Sequence, residues 1–388
     1  MSFGSSNRTA LRFVKETVFG ETPATPTLQD LRYTGEGLNY NLSNITSDEI
    51  RADRATANLI QVQSDASGDI NVELSFDSYD GFLEGAMAST WSADLAISAT
   101  DISTTVTTNI ISSSSTDFVA AGIVVGQWIE VGGFTDPANN GYFRVKAVTA
   151  NQIDVYSNLV TEASGATITI GGSMIRNGTD LTSYTIQKHI QDSTTPTFFN
   201  FTGCRVGGLS LTFATGAILG GAFSFMGLGS NTDTAQIAGA TTNVATTTEP
   251  MNAVGNLLDI RMDNVTSTAK FSNLTMNLSN NLRAQDAIGS LPHIGVALGR
   301  LEVTGDISVY FEDTSTYNLF LNSTAFTLSF RAEDNAGNAY IFTFPSVKFE
   351  TGAVVSGGLD QDVMLEGTWR AILDGDTQCM AQIDKFSA

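Results

Sequence analysis

The stretch Gly68–Phe76 (GDINVELSF) decides how the rest of the chain is interpreted, because much of it occurs a second time. Residues 305–311 read GDISVYF. Ahead of the first copy lies LNYNLSN at 38–44, and ahead of the second, at nearly the same distance, lies LTMNLSN at 274–280. A pair of blocks repeated at matched spacing indicates that a whole structural unit is duplicated.

Both copies continue with the same order of predicted elements. Apolar residues alternate from Ile70 to Phe76, as in a half-buried strand, and the spacing that follows predicts a short amphipathic helix over Tyr79–Ser89 with Ser78 or Asp77 as N-cap. In the second copy a strand over 307–311 precedes a helix predicted within 313–322. The helix is followed by the alternating strand 325–330.

Later blocks match as well. The strand at 325–330 has its counterpart at 183–189, which comes roughly ninety residues later than the first copy requires, so a segment is inserted before it. Further matches join 199–201 to 342–344 and 215–221 to 351–357. The segmentation that follows is an N-terminal arm (1–30), a first unit (31–91 plus 183–229), a surface-exposed inserted β domain (92–182), a linker or extended loop (230–256) and a second unit (257–388).

Composition favours an all-β fold with a few short helices. The 388 residues are 42% hydrophobic and 15% charged, which is typical of a folded globular protein, and Gly, Ser, Thr, Asn and β-branched residues are abundant. The net charge of -21 repels nucleic acid unless basic residues cluster, and no such cluster occurs. No secretory signal or bilayer-spanning stretch is recognisable, which predicts no membrane partner.

A charged block, Asp48–Arg54 (DEIRADR), interrupts the first strands. One interpretation is a solvated loop with weak surface ion pairs. The other is a specific contact to another subunit, because arginine forks near carboxylates form bidentate, directional pairs. The candidate contact residues are Asp48, Glu49, Arg51, Asp53 and Arg54.

Catalytic chemistry is sparsely provided, and the sequence predicts no enzyme, cofactor or metal. His189 lies in an alternating strand, Cys204 has no nucleophile signature, and neither Cys nor His occurs at metal-ligand spacing. Whether Cys204 and Cys379 pair is left open, since two cysteines do not make a disulfide framework. Asp77, Asp80 and Glu84 could form a carboxylate pair for acid-base chemistry, and Asp374 and Asp376 could contact a cation, but neither group matches a known loop pattern.

The chain resembles phage tail tube proteins, the major tail proteins of bacteriophages with long non-contractile tails (siphoviruses). The resemblance covers mainly residues 20–91 and 197–229, and its motifs belong to a family pattern rather than to a catalytic signature. It is carried by Gly20–Pro23, Glu49–Arg54, Gly68–Ile70, Ser78–Glu84, Thr90–Trp91, Phe201–Gly203 and Phe225–Gly227.

The resemblance implies tail-tube β-sandwich units whose inner sheets join into an inter-subunit β-barrel. Rings of the protein would stack into a hollow tube in the virion tail, assembled in the host cytoplasm, with the tape measure protein and tail terminator as partners. Genomic DNA would pass during ejection without specific binding. Because the unit is duplicated, we expect a trimeric ring with pseudo-sixfold symmetry rather than a hexamer. The alternating strands would line the lumen through Asp69, Asn71, Glu73, Asp306 and Ser308.

The charged block would then bridge neighbouring subunits or rings, together with the N-terminal arm and residues 229–256. One alternative stays open at this level. An extracellular adhesin or carbohydrate-binding β protein would also explain a small inserted β domain.

Overall fold

A computed structural model describes residues 3–267 and 269–388 of the chain. Strands dominate and two short α-helices are present, so the predicted all-β class is confirmed. Met1 and Ser2, at the start of the predicted arm, lie outside the described residues.

The strands and helices fall into three consecutive parts of the chain, residues 9–87, 95–243 and 257–386. The first part contains β1 (Thr9–Lys15), β2 (Thr27–Leu31), β3 (Gly35–Glu36), β4 (Asn39–Thr46), β5 (Leu59–Glu73) and α1 (Asp80–Met87). The second part contains β6 (Leu95–Ala99), β7 (Ser103–Thr105), β8 (Ile110–Ser112), β9 (Trp128–Gly132), β10 (Gly141–Thr149), β11 (Gln152–Val155), β12 (Ile168–Arg176), β13 (Tyr184–Ile190), β14 (Thr197–Ala214), β15 (Gly220–Gly227), β16 (Gly229–Asp233) and β17 (Thr241–Asn243). The third part contains β18 (Leu257–Met262), β19 (Val265–Thr266), β20 (Phe271–Ser279), β21 (Arg283–Gln285), β22 (Gly295–Ala297), β23 (Glu302–Tyr310), α2 (Ser315–Leu321), β24 (Phe326–Glu333), β25 (Ala339–Ser356), β26 (Val363–Ala371) and β27 (Gln382–Phe386).

Both predicted helices are confirmed, although the predicted N-cap is wrong. Tyr79 occupies the N-cap of α1 without a capping side chain, because the Ser78 hydroxyl is hydrogen-bonded to Ser75 instead. Helix α1 buries Phe82, Leu83 and three other residues, whereas α2 buries none. The two helices therefore differ in how completely the chain covers them.

Eight strands pair in one continuous antiparallel order, β4-β5-β15-β14-β20-β23-β26-β25. One face of this sheet packs into the main hydrophobic cluster with α1. The first four strands in this order come from the first half of the chain and the last four from the second half. The pairing of β14 with β20 joins the two halves.

The two halves have the same strand order, and several landmarks coincide. Gly68 lies opposite Phe225, and Gly305 lies opposite the buried ring of Trp369. A register shift follows Val206 in β14, and another follows Phe349 in β25. The sheet therefore contains two equivalent four-strand groups, β4-β5-β15-β14 and β20-β23-β26-β25.

Two of the sequence matches do not correspond to equivalent positions. Residues 351–356 belong to β25, whereas 215–219 form the turn between β14 and β15 with Gly216 at φ 72. The LxxNLSN blocks are also displaced, because Asn39 faces Ser67 while Asn277, rather than Thr275, faces Thr304. Sequence similarity does not fix which residues lie opposite each other, since register is decided by the neighbouring strand.

The N-terminal segment 1–30, predicted as an arm, contributes strands to the folded sheet of its own chain. Strand β1 pairs with β13 and β2, and it buries Leu11 and Phe13. Glu16 follows β1 and is also buried; its carboxylate accepts hydrogen bonds from Ser183, Thr185 and two backbone N–H groups. Leu11 and Phe13 alternate along β1 and form its buried face, which the small polar composition of residues 1–30 does not indicate.

The predicted linker 230–256 contributes to the core at one point. Met251 is completely buried, and its N–H donates to the Leu74 carbonyl at 2.8 Å. Strand β17 of the same segment pairs in parallel with β2. The segment predicted as a linker or extended loop therefore contributes Met251 to the core.

Residues 95–170 enclose a hydrophobic cluster of their own, built from β6 to β12. Strands β9, β10, β11 and β12 all lie within the segment predicted as an inserted β domain. Strand β12 also pairs with β27, and Trp128 is buried against Ala339, Ile341 and Phe386. The segment thus packs tightly on the second half of the chain.

Asp384 lies at this junction and is fully buried. Its carboxylate accepts hydrogen bonds from the Trp128 N–H at 3.1 Å and the Gln382 amide at 2.7 Å. Burial raises the pKa of Asp384 to about 7. The unfolded chain releases this proton near pH 4, so stability from this group is present at low pH and is lost as the pH rises toward 7.

We therefore expect Asp384→Asn to remove part of the pH dependence of folding. The wild-type free energy of unfolding should fall relative to that of the variant by up to about 1.4 kcal/mol per pH unit between roughly pH 4 and 7. Urea denaturation at several pH values measures the difference. Asp376→Asn, at an exposed carboxyl, is the control; equal slopes for the Asp384 variant and wild type would contradict the assignment.

Candidate assembly surface

The face of the eight-strand sheet opposite the core is open to solvent. Along β5, Ile70 and Val72 are buried, whereas Asp69 and Asn71, which alternate with them, are exposed. The same alternation places Asp306 on the exposed face of β23, with Ile307 buried behind it. This polar face is the candidate site.

All five residues predicted for a lumen lie on this face. Asp69, Asn71 and Asp306 are exposed, while Glu73 and Ser308 are half-buried. Thr275 on the adjacent strand fixes Asp306, since its hydroxyl contacts the Asp306 carboxylate at 3.1 Å and accepts the Asp306 N–H at 2.8 Å. Whether the face lines a tube stays a prediction.

Further carboxylates on the face were not singled out from sequence. Asp65 lies on the same face of β5 as Asp69, and Glu366 lies on β26 opposite Ser308. Arg370 on the same strand is engaged by Glu350 and Glu302. Carboxylates thus compensate the positive charge of Arg370 on this face. The alternation of polar and apolar residues along β26 is the sequence signal that could have placed Glu366 and Arg370 on the polar face.

The charged block lies in the loop 47–58 between β4 and β5. Arg51 binds the Asp53 carboxylate through two contacts, at 3.0 and 2.7 Å, and this hydrogen bond holds the pKa of Asp53 below its usual value. Within residues 3–267 and 269–388, Asp48, Glu49 and Arg54 have no ion-pair partner. The loop therefore presents unpaired charge to solvent, beside the fully exposed Ile50.

A second hairpin projects from the corresponding position of the second half. It contains β21 and β22, and its tip reaches β5, where the Ser64 N–H donates to the Leu291 carbonyl at 2.9 Å. Gln63 contacts Asp286, whose carboxylate also binds His293. His293 thus has a structural partner in this loop contact, which no sequence motif indicated.

The remaining catalytic candidates do not assemble into one site. His189 stacks on Phe198 at 4.0 Å, and burial lowers its pKa. Cys204 is buried, which raises its thiol pKa. Cys204 and Cys379 are both free and buried, so they do not pair with each other.

The carboxylates are held by structural contacts. Lys385 bridges Asp77 and Asp80 at 2.8 and 2.5 Å, whereas Glu84 pairs with Lys15 at 3.1 Å. Asp374 accepts hydrogen bonds from Thr377 in a tight turn. Among the described residues, no three His, Cys, Asp or Glu side chains converge as a metal site.

These observations define an all-β protein whose most extensive feature is an open, polar sheet face. Comparison with protein families matches residues 6–371 to the phage tail tube protein family, and the chain belongs to that family. Membership implies a structural role in the phage tail. Comparison with curated proteins gives no match. Neither helix in the described part of the chain has the length and hydropathy needed to cross a bilayer.

Proposed function

We propose that copies of this chain form rings that stack into the hollow tube of a long non-contractile phage tail. The observation that carries the proposal is the antiparallel order of eight strands with one buried and one polar, acidic face. Joining such sheets edge to edge closes a barrel and removes exposed strand edges. The role is structural, without catalysis.

In this arrangement the polar face lines the lumen. Asp69, Asn71, Glu73, Asp306 and Ser308 then face passing DNA. Carboxylates repel phosphates over a distance of about 8 Å at physiological salt, which favours sliding over binding. Genomic DNA would therefore pass during ejection without a specific site.

Ring stoichiometry follows from the two four-strand groups in each chain. Three chains supply six such groups, so a trimeric ring has pseudo-sixfold symmetry. The tape measure protein inside the tube and a tail terminator at its end are the further partners proposed, with assembly in the host cytoplasm.

Purified wild-type protein is expected to form hollow rods in negative-stain electron microscopy. A cryo-microscopy reconstruction of one ring would count the chains, with three expected. A protein that remains monomeric at high concentration would contradict the proposal and would favour the adhesin alternative.

The loop 47–58 is the proposed contact between rings. We expect the double variant Arg51→Glu with Arg54→Glu to fold normally but to form few or no tubes, since it reverses two exposed charges that engage the neighbouring ring. Circular dichroism checks folding and microscopy measures tube length. The exposed pair Arg300→Glu with Lys146→Glu is a matched control elsewhere on the surface; tubes of wild-type length in the loop variant would refute the assignment.

A further inference from the structure

Two strand edges are unpaired, one at each end of the eight-strand order. Within the described ranges, β4 pairs only with β5. Strand β25 pairs with β24 only up to Val347, so residues 351–356 are hydrogen-bonded to β26 on one side alone. Each edge leaves backbone N–H and C=O groups available.

Neither edge is protected against pairing. Residues 37–41 and 351–355 contain no charged residue and no proline, the usual devices that block edge-to-edge association; the ion pair of Glu36 with Lys188 lies just before the first segment. Val354 and Val355 on β25 are exposed apolar side chains, and Leu42 on β4 is exposed directly after residues 37–41. The two edges are thus suited to forming a strand pair.

The chain contains one complete example of such a joint. The C-terminal half of β14 pairs with β20, and there Leu211 is 2% exposed. The register shifts in β14 and β25 place Val354 at the position equivalent to Leu211, yet Val354 is 40% exposed. The second joint therefore lacks its covering strand within a single chain.

Helix α2 is incomplete in the same region. It lies beside β25, with Phe320 close to Gly352, but it buries no residue and Leu321 is 58% exposed. At the internal joint, Asn280 directly after β20 donates hydrogen bonds to the Ala86 carbonyl of α1 and to Val206. A strand arriving at β25 would bring comparable cover to α2.

We propose that residues 37–41 of a second copy, the segment that leads into β4, pair antiparallel with residues 351–355 of β25, with Asn39 opposite Ala353. This inference rests on the proposed tube function and names the surfaces that close its ring. The direction follows from the strand count, because eight alternating strands leave β4 of the next copy antiparallel to β25. The joint would repeat the β14–β20 pairing between chains.

The register comes from the strand ladders. Ser210 lies across β15 from Asn71, and Ala353 lies across β26 from Ser308. Asn71 and Ser308 are each the third residue after the glycine of a GDI block, so Ala353 takes the position of Ser210.

The partner position is found in the same way. At the internal joint Ser210 faces Asn277, which also faces Thr304, the residue before Gly305. Asn39 faces Ser67, the residue before Gly68. Asn39 therefore takes the position of Asn277, with its side chain on the polar face.

A disulfide between chains tests this register. The variant carrying Asn39→Cys and Ala353→Cys is assembled and oxidised as the full chain. The equivalent pair in β14–β20, Ser210 with Asn277, is non-hydrogen-bonded. The backbone hydrogen bonds are made at odd-numbered residues of the β14 strand line, because the Thr215 N–H donates to the Ser272 carbonyl and the Gly207 carbonyl accepts from the Asn280 N–H. Such pairs have Cα atoms about 4.5 Å apart, which is within disulfide range. Most chains should migrate as disulfide-linked trimers on non-reducing gels.

The controls separate register from ring formation. Mixing the two single-cysteine variants should give disulfide-linked dimers and nothing larger, while Asn41→Cys with Ala353→Cys should crosslink poorly because it is displaced by two residues. Efficient crosslinking of the Asn41 pair, or of neither pair in protein that forms tubes, would overturn the inference and leave the tube function standing. Absence of tubes from wild-type protein would overturn both.

Discussion

Replacing Gly305 by alanine is expected to destabilise the protein by about 3 kcal/mol or more. A Cβ atom at this position would lie 2.0 Å from the Thr275 carbonyl oxygen and 2.5 Å from the Trp369 ring. The carbonyl belongs to the paired strand β20 and the ring is fully buried, so neither can move without breaking the sheet. Urea denaturation followed by circular dichroism measures the loss.

The matched control for this change is Gly358→Ala, where an added Cβ meets no atom within 4 Å. It should alter stability by less than about 1 kcal/mol. Gly68→Ala, in the first GDI block, should behave like the Gly305 variant, because its Cβ would lie 2.3 Å from the Gly37 carbonyl oxygen. A Gly305 variant as stable as the Gly358 variant would show that the strands have room to separate.

Trp128→Ala is expected to cost about 3 to 5 kcal/mol and to loosen residues 95–170 from the rest of the molecule. The ring is buried against Ile341 and Phe386, its Nε1–H donates to Thr343 at 2.9 Å, and Arg261 stacks over it at 5.0 Å. Its removal leaves a cavity and an unpaired threonine hydroxyl at one junction.

Calorimetry and limited proteolysis measure this effect. Cleavage should appear first between residues 92 and 127 or near 177–182, while the main sheet stays protected. Trp128→Phe keeps most of the apolar contact and should cost much less, chiefly the lost hydrogen bond of about 1 kcal/mol. A Trp128→Ala variant that melts like wild type would show that the inserted segment is held by β12 alone.

The open polar face accommodates part of the acidic composition of the chain. Carboxylates are tolerated on this face because it is solvated, and the two edges remain uncharged where pairing is proposed. Net charge of the same sign on all copies also limits association to matching edges, since random contacts between acidic surfaces are repulsive.

Local sequence patterns determined much of what was predicted correctly. The alternation around Ile70 and Ile307 assigned the strands and the exposed face of Asp69 and Asp306, because side chains alternate across a sheet whatever the sheet's neighbours are. The spacing of Phe82 and Leu83 likewise assigned α1. These signals require only a few consecutive residues.

Contacts between distant residues were decided by the tertiary structure. Sequence similarity aligns Thr275 with Asn39, but the strand pairing makes Asn277 the equivalent of Asn39. Leu11 and Phe13, in the segment predicted as an arm, belong to the core. Trp128 packs the inserted segment against Ile341. Strand register and docking are set by pairing energy and packing between segments far apart in the chain, which local periodicity does not contain. The sequence by itself determined the elements and their faces, and the tertiary structure determined which edges were left free.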